Sequence, residues 1–498
     1  MNFLRSESFK KGMLLSAGFN LFAKLIGFLN SLCIAYFFGT QASMDVYFFG
    51  IGTVTAVVGF FNSISQSVII PEAMRLRTQV NEEVSRHFFN FTLYLHLAFF
   101  IIIVSLSLLS PIGLFKAISG FNNDILIHNI SLLKALIISV FLSFFITYFT
   151  EILATFKYFT IPMLVSFVNS VFSLSFVVCF HEMLGVNSIV WGLLSAQTLN
   201  LLMLVFILCK FLKWKFSFQL PTLEKHVLNN IGYSLVGSIT STVFSYIPLV
   251  ILSRFGEGTI SALNYGKMIS EIPNQFVTTN FSVVAGIKFN ELVSKNNLQG
   301  LNNVFLRSVK FLFPLLGFVS LVFFLASEDI IRLLFYRGNF TMSSVKSAAM
   351  YLKYFGLLPA FLAINTLVSR LFMATQEIRL GVFYQILVNC MSIPLLVLSI
   401  EYLGPVGYPV SWVIVYSFSS IFVCYLLWRY FSYINSKVFT QFILFAAIVL
   451  SLIGLSLNLF IKYFNLLYPS SLLFCVTTLI AITIMWMIIQ HQMSNKLD

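Results

Sequence analysis

Lys24, Asp45, Lys267 and Glu271 are the residues whose chemistry stands out, because each interrupts or borders an otherwise apolar stretch. A charge at the centre of a membrane-spanning helix costs about 2.5–3.5 kcal/mol on insertion scales, so a chain that keeps one there keeps it for a task. Lys24 falls near the middle of the first apolar run. There its ammonium is a point-charge partner for an anion, or for an acid such as Asp45 or Glu271. Lys267 and Glu271 are spaced i,i+4 and share one helix face, so they either pair with each other or meet a ligand together. Asp45 stands at the mouth of the second apolar run. It either caps the amino end of that helix or gates by making and breaking a pair with Lys24 or Lys267.

The elements that must position these charges are membrane helices. Hydrophobic residues make up 59% of the 498-residue chain and charged residues only 9%, against about 25% charged in a soluble domain. Apolar runs long enough to cross a hydrocarbon core roughly 30 Å thick recur from Met13 to Ile489. They predict fourteen helices, at 13–38, 47–70, 90–113, 130–155, 158–180, 186–209, 231–253, 264–287, 308–327, 347–373, 380–400, 405–428, 438–461 and 469–490. The first is too long for a signal peptide and contains Lys24, which makes it a retained helix. The eighth is thinned by Lys267, Glu271, Pro273 and Asn280, a polar load expected where a helix faces a cavity.

The net charge of +13 is scattered over the joints between helices rather than gathered into a nucleic-acid-binding stripe. With fourteen helices, 20 of the 30 Lys and Arg fall on one side of the membrane and 6 on the other, leaving Lys24, Lys134, Lys267 and Lys353 inside helices. By the positive-inside rule both termini are cytoplasmic. The six cysteines form no C-x-x-C pair and the six histidines show no ligand spacing, which predicts neither a disulfide framework nor a metal site. Phosphate-loop, H-E-x-x-H and G-x-S-x-G signatures are missing, so the chain is expected to be a transporter without cofactors rather than an enzyme.

The joints repeat. Phe38-Gly39 ahead of Asp45-Val46-Tyr47 is matched by Phe255-Gly256 ahead of Leu263-Asn264-Tyr265, at an offset of 217 to 218 residues. Leu184-Gly185 and Leu403-Gly404, each followed by a tryptophan, lie 219 residues apart. Two six-helix lobes are the expected result, residues 1–212 and 213–432, around a central cavity, with two additional helices in 433–498. This is an all-α polytopic membrane architecture of the alternating-access type.

Ile260-Ser261-Ala262-Leu263-Asn264-Tyr265-Gly266-Lys267 with Glu271-Ile272-Pro273 resembles the seventh-to-eighth helix signature of the MurJ/MviN lipid II flippases. Leu333-Leu334-Phe335-Tyr336-Arg337-Gly338-Asn339-Phe340-Thr341 is similar to that family's L-L-F-x-R-G-x-F-T joint. Ala23 to Phe28, Phe38-Gly39, Met44 to Phe48, Ser65-Gln66 through Pro71, Leu367 to Phe372 and Leu403-Gly404 follow the same family in order, up to about residue 430. The resemblance implies a member of the multidrug/oligosaccharidyl-lipid/polysaccharide exporter superfamily in a bacterial inner membrane. Such a protein carries an undecaprenyl-pyrophosphate-linked saccharide outward, the peptidoglycan precursor lipid II foremost. Lys24, Lys267 and Glu271 are then substrate contacts, and Asp45 and Glu271 candidates for gating or ion coupling.

The chain departs from the family pattern at several positions. Lys24 and Asn30 stand where members usually carry arginine, Gly52 to Asn62 holds no charge where an arginine pair is expected, and Met268 follows Lys267. The resemblance thus also assigns Asn30 to the substrate site. A less cationic cavity favours the alternative substrate, an O-antigen, capsule or exopolysaccharide repeat unit; a drug/cation antiporter or a membrane polysaccharide polymerase fits less well. Membrane potential, H+ and Na+ are all open as energy sources, since outward movement of negative charge gains about 2.3 kcal/mol per unit charge per 100 mV. A protein acting as a monomer on a lipid-linked substrate is expected.

Overall fold

The structure, a computed structural model, describes residues 9–158, 160–218 and 225–463 together with 474, 476–478 and 480. The predicted fourteenth helix, 469–490, lies outside the described residues but for those last few. The chain is all-helical among the described residues. In order the helices are α1 (Phe9–Phe38), α2 (Ala42–Ile64), α3 (Ile70–Gln79), α4 (Glu82–Leu109), α5 (Pro111–Ile118), α6 (Asn123–His128), α7 (Ile130–Thr155), α8 (Ile161–Leu184), α9 (Asn187–Phe211) and α10 (Lys225–Leu252). They continue with α11 (Thr259–Pro273), α12 (Thr279–Ser294), α13 (Leu298–Leu325), α14 (Ser327–Phe335), α15 (Met342–Phe355), α16 (Leu358–Ala374), α17 (Ile378–Leu403), α18 (Gly407–Tyr430) and α19 (Ser436–Tyr463). Among the described residues nine helical stretches are long and apolar enough to cross a membrane, and two shorter apolar ones lie at Phe22–Phe38 and Gly237–Leu252. The protein is a multi-pass membrane protein.

Two compact units divide the chain: Met1–Ser261 with Arg337–Phe340, and Ala262–Tyr336 with Thr341–Asp498. In the first, phenylalanines carry the core. Phe100 stacks on Phe144 with ring centroids 4.5 Å apart, and Phe61, Phe145 and Tyr148 close around them between α2, α4 and α7. In the second, α12, α13, α16, α18 and α19 bury a cluster that includes Phe289, Phe305, Leu312, Leu367, Leu371 and Phe439.

Polar residues inside the first unit are spent on stitching helices together. Asn200 on α9 reaches the Asn169 amide oxygen (2.9 Å) and the Val165 carbonyl on α8, and Gln197 donates to Ser143 on α7 at 2.7 Å. Along the antiparallel pair α2 and α10, Tyr246 meets Thr53 at 2.9 Å, Ser238 donates to Ser63 at 3.0 Å, and Ser234 meets Ser67 at 2.6 Å. Moving on by four residues from Ser63 at the end of α2 to Ser67 in the π-turn that follows moves back by four on α10, which is the register of an antiparallel seam. Without water, each of these hydroxyls needs a protein partner, and neighbouring helices supply it.

Two helices carry a π-turn beside a proline. Ser65–Ile69 interrupts the run from α2 into α3 just before Pro71, and Asn274–Thr278 follows Pro273 at the end of α11. Pro71 removes a donor and crowds the turn before it, so the hydrogen-bond ladder of Ser65–Ile69 takes a wider step. In the predicted eighth segment, the polar residues and Pro273 that thin its hydrophobicity therefore mark a change of helical geometry between α11 and α12 rather than an end of the helix.

Gly266 shows how closely helices approach in the second unit. A Cβ there would stand 2.6 Å from the Ala348 carbonyl oxygen and 2.9 Å from the Leu352 nitrogen, both backbone atoms of α15. Gly266→Val is expected to destabilise the protein by about 1–3 kcal/mol through overpacking. A lowered midpoint of thermal unfolding in detergent, with a smaller drop for Gly266→Ala, checks this.

Candidate functional site

The sequence places Asp45 at the mouth of the second helix, and the structure gives it different partners from those expected. Asp45 is buried at 3% exposure. Its Oδ2 accepts from the Gly258 N–H at 2.6 Å and its Oδ1 from the Ser261 N–H at 2.7 Å. Those two N–H groups belong to the first turn of α11 and the residue before it, so Asp45 caps a helix more than 200 residues away in sequence. Its own helix is capped from the other side: the Glu257 carboxylate accepts from the Ala42 N–H at 2.7 Å, while Gln41 makes no side-chain cap. Two joints that repeat one another in sequence thus exchange acidic caps.

The Arg337–Phe340 joint completes this cluster. The Asn339 N–H donates to the Tyr36 carbonyl at 2.8 Å and its side-chain amide to the Phe37 carbonyl at 2.5 Å, which satisfies the carboxyl end of α1. Backbone approaches backbone so closely that Gly39 and Gly338 face Asn339 and Tyr36 with no room for a Cβ. Both adopt left-handed φ, +58° and +55°, the region where glycine bears no steric cost. Arg337 thus belongs to a joint that orders the end of α1 through Asn339.

Lys267 and Glu271 form the expected i,i+4 pair on α11, with Nζ and Oε1 3.7 Å apart and both side chains more than 40% exposed. The pair is therefore held together on one helix face and open to a ligand. Lys24 is half-buried on α1. Asn30, on the face of α1 turned to α8, donates to the Ser173 hydroxyl at 2.9 Å and leaves its Oδ1 buried without a partner. Among the described residues no three His, Cys, Asp or Glu side chains converge as a metal site would need.

Sequence reasoning missed two features. Glu257 sits in the joint whose Phe-Gly pair repeats Phe38-Gly39, and an acid there, next to a helix start, is the signal that could have found this capping acceptor. Glu151, near the end of α7, takes a hydrogen bond from Gln66 at 2.9 Å. Its position beside Lys157 reads as interfacial in sequence, and its contact with α2 becomes visible only when the helices pack.

These helices and their polar seams define a multi-pass membrane protein. The fold is shared with solved structures. One titled "Lipid II flippase MurJ, inward closed conformation" aligns with TM-score 0.78 at 21% identity, covering 96% of this chain and 99% of that one. An inward-facing multidrug-resistance MATE transporter of the MOP superfamily aligns with TM-score 0.64 at 14% identity over 85% of this chain and 98% of its own. The chain belongs to the family described as "Lipid II flippase MurJ", which matches residues 34–478. The curated proteins named "Probable lipid II flippase MurJ" include that of Borreliella burgdorferi, 22% identical over 77% of this chain and 76% of its own length. They also include that of Buchnera aphidicola, 23% identical over 77% of each. Asp45, Glu257, Lys267, Glu271 and the 337–340 joint all fall inside the family match, and Lys24 and Asn30 precede it.

Replacing Asp45 by alanine leaves the Gly258 and Ser261 N–H groups without acceptors and is expected to cost about 0.5–2 kcal/mol. Hydrogen exchange at residues 258–261 checks this, with exchange faster by roughly tenfold for each 1.4 kcal/mol lost. Unchanged exchange there would show that the cap contributes nothing to the start of α11.

Proposed function

We propose that this chain flips an undecaprenyl-pyrophosphate-linked saccharide to the outer leaflet of the bacterial inner membrane by alternating access, with lipid II as the substrate. The observation that carries this reading is the family match over residues 34–478, reinforced by cationic side chains kept on membrane helices. Lys24 and Lys267 supply the positive charge that a pyrophosphate needs in a dehydrated site, and Glu271 holds Lys267 in place until substrate competes for it. Asn30 adds an amide whose oxygen lacks a partner. Asp45 acts as a gate: its two bonds to the start of α11 hold one state together, and the opposite state requires that they part.

The reading includes fourteen helices, two six-helix lobes (1–212 and 213–432) about a cavity, and two further helices in 433–498. The distribution of Lys and Arg supports cytoplasmic termini, and the protein acts as a monomer without a cofactor. Export of a di-anionic headgroup gains from an inside-negative potential, which makes membrane potential the simplest driving force. The scarcity of arginine from Gly52 to Asn62 supports a second substrate class, the repeat units of O-antigen, capsule or exopolysaccharide.

Expression of this chain in cells depleted of their lipid II flippase is expected to restore growth. Failure to rescue despite membrane insertion would reject lipid II and favour the polysaccharide substrate. Lys24→Ala and Lys267→Ala are each expected to lower transport by roughly tenfold or more at normal expression, the loss that follows when a charge-assisted contact worth about 1.5–3 kcal/mol is removed. Wild-type transport by either variant would take that lysine out of the substrate site.

A further inference from the structure

Glu151 is an acid within a membrane helix that the proposed transport route does not use. It lies about one turn before the end of α7, half-buried. Gln66 donates to its Oε1 from the π-turn between α2 and α3. The Asn62 side-chain amide, one turn earlier on α2, lies against both carboxylate oxygens and donates to them when its nitrogen points inward. Among the described residues no lysine, arginine or histidine stands within ion-pair distance of Glu151.

Among the described residues, the charged and titratable groups of α3, α4 and α9 are engaged elsewhere. On α3, Glu72 pairs with Arg75 at 2.7 Å, and Arg77 binds the Thr155 carbonyl and Glu82. On α4, Arg86 also holds Glu82, His87 lies 3.7 Å from Glu83, and the His96 Nδ1 lies 2.7 Å from the Thr92 carbonyl. Tyr148, on α7 itself, is bound to Thr92 at 2.6 Å, and Lys210 on α9 lies over the Phe206 ring. On α10, Tyr246 meets Thr53 at 2.9 Å, nine residues before Asn62 on α2.

An ionised carboxylate in this setting is costly unless hydrogen bonds or a counter-charge compensate it. Two amides supply the first and nothing supplies the second. The amides also suit the neutral form. If Glu151 takes a proton, its O–H needs an acceptor, and a half-turn of the Asn62 amide puts Oδ1 where the nitrogen was. One constellation therefore satisfies both protonation states with no movement of the backbone.

We infer that Glu151, Asn62 and Gln66 form a proton-binding site within the first unit, whose occupancy is coupled to the transport cycle. The carboxylate takes a proton from water at the α3/α7 end and returns it to water, with no other bond made or broken. The coupling rests on the transport reading, whereas the binding site does not.

The test uses the full chain reconstituted in phosphatidylcholine and phosphatidylglycerol vesicles. Infrared difference spectra across a pH series are expected to contain a protonated-carboxyl band that is lost in Glu151→Gln and kept in Glu151→Asp and His96→Gln. On the ionised side of its midpoint the band should fall about tenfold per pH unit. A spectrum unchanged by Glu151→Gln overturns the site. In the same vesicles, flipping of a fluorescent lipid-linked saccharide is expected to vary with pH in wild type and in His96→Gln, and to lose that variation in Glu151→Gln. A variant that keeps the wild-type pH profile overturns the coupling. Vesicles in which wild type moves no lipid reject the transport reading while the infrared series still decides the site.

Discussion

A bilayer offers no water, so every polar group within it must be answered by another part of the protein. At the joints between helices, the cross-capping at Asp45 and Glu257 shows how such groups are answered. Each of these helix starts would present unpaired N–H groups, and each is satisfied by an acid from the other joint. The start of α11 thus depends on a residue at the start of α2, and the reverse holds too. Asn339 extends the same logic to the end of α1 by donating to two carbonyls that the helix itself leaves open. Three chain segments distant in sequence thus form one hydrogen-bonded body at the joints between helices.

Much of this organisation was legible in the sequence. The length of the apolar runs identified the solvent, and the i,i+4 spacing of Lys267 and Glu271 foretold the pair that α11 presents. The repeated Phe-Gly joints singled out the two places that exchange caps. What stayed hidden has a common physical origin. Periodicity describes one helix at a time, whereas the partners of Asp45, Asn30 and Glu151 are set by which helices pack together. Asp45 was assigned to its own helix or to a lysine because those are the partners visible along the chain or by charge. Backbone N–H groups carry no sequence signature, so a cap between distant segments cannot be read from residue types.

The charges separate into two kinds by their surroundings. At the ends of helices they form exposed networks such as Glu291 with Lys288 at 2.9 Å and Lys295 at 2.7 Å. The two lysines, Lys295 foremost, hold the Glu291 carboxyl down to about 2. Glu291 is therefore ionised throughout the physiological range, and whatever stability its pairs contribute is lost only as the pH falls through that value. Within the helices charges are few and their partners specific: two N–H groups for Asp45, two amides for Glu151, one acid for Lys267. Surface networks of the first kind are tolerant of change, whereas each of the second kind has a narrow set of compatible neighbours.

The seam between α2 and α10 is built from hydroxyls rather than charges. Thr53 and Ser67 each donate to a carbonyl of their own helix, Phe49 and Ser63, while serving as acceptors for Tyr246 and Ser234. A hydroxyl arranged in this way keeps its donor bond whether or not the facing helix is present. Parting such a seam frees acceptor lone pairs, which water or a lipid headgroup can occupy, and strands no charge. It is a fastener without charge, one whose parting and remaking would move no ion into or out of an apolar medium.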